Sequence, residues 1–163
     1  MTEVTTPALA GHAFLRGMAP GQLDALAAAA SDVRFPAGHR VFEEGGFAGK
    51  FWLIQSGHVA LDVLVPGSGR VIVDTIGIGD LLGCSWLFPP YRWAFGAACA
   101  TAVRAFEFDA AAIRARCADD PEFGAEFRER LLQVLARRLQ GTRTRLIARS
   151  MSGPMAGPMA DGA

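Results

Sequence analysis

The residues best suited to chemistry lie in one run, 79–92. Gly79 and Gly83 permit tight turns, residues 85–88 offer a short helical turn ended by Pro89 and Pro90, and Arg92 follows. Backbone N–H groups at the start of such a turn point at an anion without needing a side chain. An arginine adds a charge-assisted, often bidentate contact. The run is therefore suited to holding one small anion. Cys84 stands in its middle, and a thiol is a poor hydrogen-bond acceptor.

Other reactive residues read more plainly. His12, His39 and His58 are scattered and show no metal-ligand spacing. Cys84, Cys99 and Cys117 are odd in number and widely spaced, which fits neither a disulfide framework nor a zinc site. Cys84 has no base near it in sequence and reads as a small buried thiol. Trp86, Phe88, Tyr91 and Trp93 read as core and loop packing rather than a platform for stacking bases. No Ser/His/Asp array, paired acid or metal box stands out, so the expectation is a protein that is not an enzyme. Lys+Arg and Asp+Glu are both 16, so no net charge draws the chain to nucleic acid. Glu43 and Glu44 form a charged turn.

These residues need a scaffold, and the chain is long enough for one domain with a core: 163 residues, 51% hydrophobic. No signal peptide and no membrane-length apolar run is evident, and a reducing cytoplasm is the expected location. Residues 1–11 read as a flexible lead-in. Helical pieces are expected over 12–16 and 20–31, the second opening on Pro20. Short β-rich runs then follow at 33–35, 41–42, 51–55, 58–65, 70–76, 93–98 and 103–108, with glycine turns between them. Such spacing predicts an antiparallel sandwich or barrel, for example a jelly roll. Residues 66–69 form the clearest hairpin turn, with Leu61, Val63 and Val65 alternating with an only partly polar outer face of Asp62 and Leu64. Asp109 is placed to cap a helix over 110–117.

Asp119, Asp120, Pro121 and Glu122 open a second helix that reaches about Arg149. Phe123, Phe127, Leu131, Val134, Leu135, Leu139 and Leu146 mark its apolar stripe. At 1.5 Å per residue it is roughly 40 Å long and outreaches a small barrel, which predicts pairing with the same helix of another chain. Its terminal arginines (Arg137, Arg138, Arg143, Arg145, Arg149) suit the negative end of the helix dipole. Residues 150–163 carry a Gly-Pro-Met-Ala repeat and read as a disordered tail.

The order of helices, short strands, glycine-rich run and long helix resembles the cyclic-nucleotide-binding domain of the catabolite activator protein (Crp/Fnr) family over about residues 12–149. Three passages carry the resemblance: residues 51–59, the lead-in at 77–83, and residues 136–142 of the long helix. The resemblance implies a fold of the α+β class: an antiparallel β jelly-roll (double-stranded β-helix) barrel with short N-terminal helices and a long C-terminal helix at about 121–149. It further implies a non-enzymatic sensor that binds a phosphate-bearing small ligand, cyclic AMP or another cyclic nucleotide, with no other cofactor. The ligand-binding residues it implies are Leu82, Gly83, Cys84, Ser85, Arg92, Trp93 and Thr142. Arg92 matches the family's phosphate arginine, and Thr142 the threonine that meets the base. Two positions depart. Cys84 replaces the glutamate that accepts a bond from the ribose hydroxyl, a loss of about 1–3 kcal/mol. Trp93 replaces a small residue and competes for ligand space. The alternative reading is a degenerate fold that serves as a protein-interaction or dimerisation module. The expected partners are a second copy, through the long helix, and an unknown protein; no DNA or membrane partner is expected, because only 14 residues follow Arg149, too few for a helix-turn-helix.

Overall fold

The computed structural model describes residues 2–152. Eight strands form two four-stranded sheets. The strands are β1 (Ala30–Phe35), β2 (Arg40–Phe42), β3 (Lys50–Ser56), β4 (Val59–Val65), β5 (Gly69–Ile76), β6 (Leu81–Leu82), β7 (Gly96–Cys99) and β8 (Val103–Asp109). One sheet runs β1-β8-β3-β6 and the other β2-β7-β4-β5, with every pairing antiparallel. The expected jelly roll is present.

Strand β3 shows why the sheets face each other here. Phe51, Trp52, Leu53 and Ile54 are all buried, because both faces of the strand are covered. Successive side chains point to opposite faces. Phe51 stacks on Trp86 (4.6 Å) and Phe108 (5.0 Å), while Trp52 turns the other way to stack on Phe42 (5.8 Å).

Four α-helices flank the barrel: α1 (Thr6–Ala10), α2 (Pro20–Ala29), α3 (Ala110–Asp119) and α4 (Pro121–Met151). Asp109 and Asp120 cap α3 and α4, their carboxylates accepting from Ala112 N (2.8 Å) and Phe123 N (3.1 Å). The 31 residues of α4 span about 46 Å. Its first half buries Phe123, Phe127, Leu131 and Val134; farther along, Leu139 and Leu146 are exposed.

The structure corrects several sequence expectations. Residues 4–10 are not part of a loose lead-in: Thr5 caps α1, Leu9 is fully buried and Val4 joins the core. Residues 12–16 form only a 3-10 turn, Ala13–Leu15, because the His12 ring caps it by accepting from Phe14 N (3.2 Å). Asp62 is not a solvated charge. Beside Gly96, which leaves room for it, its carboxylate is buried in a bidentate pair with Arg40 (2.5 and 2.6 Å). The last sheet strand before residue 103 begins at Gly96, not at 93. The Gly-Pro-Met-Ala repeat lies outside the described residues.

Candidate ligand cavity

Strand β6 ends at Leu82, and Gly83 follows at φ +96°, in the region that favours glycine. A 3-10 turn, Ser85–Leu87, comes next. Trp86 is fully buried and pins this turn by donating from Nε1 to Gly83 O (3.0 Å). Between the turn, strands β4 and β5, and α4 lies a cavity of about 340 Å³. Leu82, Gly83, Cys84, Ser85, Trp93 and Thr142 all line it.

Arg92 does not reach it. Residues 91–93 run antiparallel to residues 45–48: Ala48 N donates to Tyr91 O (2.7 Å), and Trp93 N to Gly46 O (2.8 Å). Arg92 bridges Phe47 in this ribbon. Side chains alternate along such a segment. With Trp93 turned inward and buried, Arg92 is turned outward and exposed. The arginine beside the cavity is instead Arg138, on α4. Its signal in the sequence is helical spacing: Leu135, Arg138, Leu139 and Thr142 share one face of a helix.

Arg138 is half-buried and donates to Leu81 O and, at 3.8 Å, to Cys84 Sγ. Among the described residues it forms no ion pair. Burial pushes the Cys84 thiol up, against an opposing pull from the Arg138 charge. The thiol is therefore protonated and neutral near pH 7. Among the described residues, the one carboxylate at the cavity is Asp74, which accepts from Arg145 Nη1 (2.9 Å) and Thr75 N (2.8 Å). Thr142 donates to Arg138 O (2.9 Å). The remaining walls are mostly apolar.

Trp93 stacks on Phe42 with centroids 3.8 Å apart and planes 12° from parallel. This pair separates the cavity from an outer cleft of about 420 Å³, which Trp52 and Glu107 also line. Glu107 fixes the cleft floor by accepting from Trp52 Nε1 (2.8 Å) and Lys50 Nζ (2.8 Å). No group of metal-ligating side chains occurs among the described residues, and no helix there is long and apolar enough to cross a membrane.

A jelly roll whose glycine turn and long terminal helix enclose one small cavity is a defined structural class. The family model for the cyclic nucleotide-binding domain matches residues 32–120, and the chain belongs to that family. A CRP-like cAMP-activated global transcriptional regulator from Mycobacterium tuberculosis is 35% identical over 138 residues, covering 85% of this chain. The chain spans 60% of that regulator's own length. A cyclic nucleotide-binding domain from Methylobacillus flagellatus KT shares the fold at a TM-score of 0.74 and 18% identity, covering 81% of this chain and 74% of that one. The Thermus thermophilus catabolite activator protein superposes at a TM-score of 0.66 and 22% identity, covering 85% of this chain and 63% of that one.

Proposed function

We propose that this chain is a non-catalytic sensor domain that takes a small anionic ligand in the cavity between Gly83–Ser85 and α4. The single observation that carries this reading is the cation at the cavity. Arg138 belongs to α4, is half-buried, and contacts only neutral acceptors. An anion drawn to it tightens α4 against the barrel, so occupancy biases the position of the helix. Along α4, Leu132, Leu139 and Leu146 recur seven residues apart and are exposed, Leu139 at the cavity edge. That spacing fits a two-stranded seam with the helix of a second copy. Dimer geometry is then the output that a ligand shifts, for a further protein partner to read.

The M. tuberculosis relative is described as cAMP-activated, so cyclic nucleotides are the first ligands to test. Calorimetric titration with cyclic AMP and cyclic GMP, alongside sedimentation with and without ligand, tests the reading. Heat of binding and a shifted monomer–dimer equilibrium support it. A ligand that binds without altering the oligomer contradicts the proposed output.

A second reading, a fold retained only for interaction, is favoured by Trp93, which presses on the Gly83 turn, and by the outward Arg92. It predicts no ligand heat at all, with dimerisation through α4 unchanged.

A further inference from the structure

We infer that the ligand of this cavity is an apolar-bodied monoacid, an aromatic or aliphatic carboxylate whose single charge meets Arg138; this rests on the sensor reading above. The walls decide the body of the ligand. Leu61, Val73, Leu82, Phe95 and Leu135 line the cavity, and the Trp93 ring closes one side. A nucleotide brings ribose hydroxyls and several base donors and acceptors. Each such group loses about 1–3 kcal/mol when buried without a partner.

The cavity has few side-chain partners to offer. Ser85 Oγ already accepts from Ala94 N (3.3 Å), and Thr142 Oγ1 is bound to Arg138 O (2.9 Å). Asp74 is matched by Arg145 at 2.9 Å. The Cys84 thiol is a weak partner for a hydroxyl. Arg92, which would have supplied a second cation, is turned away. Among the described charged residues that line the cavity, Arg138 alone forms no ion pair. Its guanidinium has more N–H donors than its contacts to Leu81 O and Cys84 Sγ use. A planar carboxylate matches the remaining fork, and one charge is all the site neutralises. The volume of about 340 Å³ also sits at the lower end of small-molecule pockets, roughly 300–1,000 Å³.

Calorimetry with phenylpropionate, octanoate and naphthoate, with the primary amide of each, and with cyclic AMP tests the inference on the full chain. At least one acid is expected to bind, with its amide roughly ten- to a hundred-fold weaker. That preference should vanish in Arg138→Gln and persist in Arg92→Gln. If Arg138→Gln fails to fold, the acid–amide pairs on the unaltered protein still decide. Equal affinity for acid and amide overturns the inference. Cyclic AMP binding more tightly than every acid also overturns it, while leaving the sensor reading intact. No heat from any of these compounds overturns both.

Discussion

Gly83→Ala tests the contact that shapes the cavity. At φ +96° a side chain at position 83 is strained, and an added Cβ would lie 2.9 Å from two ring carbons of Trp93. Left-handed backbone strain contributes about 1–2 kcal/mol. The Trp93 ring is buried and stacked at 3.8 Å on Phe42, so it must shift away from that partner. Losing an aromatic pair adds about 0.5–1.5 kcal/mol. The substitution should therefore destabilise by about 1.5–3.5 kcal/mol and lower Tm by about 3–14 °C for a domain of this size. Gly38→Ala is the control, because Gly38 has φ +83° with nothing within 4 Å of its added Cβ. It should lose only the backbone part, about 1–2 kcal/mol. Urea unfolding gives both values. Repeating Gly83→Ala in a Trp93→Leu background closes a double-mutant cycle, and the steric part should disappear there. A Gly83→Ala effect of the same size with and without Trp93 would rule out the steric contact with its ring.

Arg40→Ala leaves the buried Asp62 carboxylate without its bidentate partner, so urea unfolding should show a loss of about 3–5 kcal/mol. The Arg40 guanidinium holds the Asp62 carboxyl below the usual carboxylate range. The stability it adds is thus present above about pH 4 and is lost as pH falls through the lower folded value. His12 works at higher pH. Burial lowers its pKa below the ordinary 6.5, and the neutral ring donates from Nε2 to Ile54 O (2.9 Å) while Nδ1 accepts from Phe14 N. Its contribution is complete above about pH 6.5 and declines as pH drops from there toward the folded pKa. His12→Gln should flatten that part of the stability–pH curve. Asp120→Ala removes the cap of α4 and should lower stability by about 0.5–2 kcal/mol, read by thermal unfolding followed by circular dichroism.

Much of the fold was legible in the sequence, and the exceptions have physical causes. Long β-rich runs such as 51–55 and 103–108 appear as β3 and β8 because alternation and glycine turns mark them locally. Strand β6 is two residues long, too short to show any period, and exists because Leu81 and Leu82 pair with Leu53 and Trp52. The first helix, α1, was hidden because its one large buried residue, Leu9, offers no repeating stripe. Asp62 looked like a solvated charge; it is buried because Arg40 covers it, a pairing across 22 positions that periodicity does not reveal. In the cavity, glycine-turn residues 82–85 were legible because they are contiguous. The arginine was not, because facing depends on the pairing of residues 91–93 with 45–48, and that pairing is non-local. Motif position favours Arg92; strand alternation and helical spacing favour Arg138.

The sensor proposal stands or falls on whether Arg138, on α4, meets the anionic ligand. Arginine Nε–Hε resonances, assigned through Arg138→Lys and Arg92→Lys, report this directly during titration with the acids and with cyclic AMP. The Arg138 resonance is expected to move with saturation while the Arg92 resonance stays in place. A moving Arg92 resonance with Arg138 unchanged would contradict it.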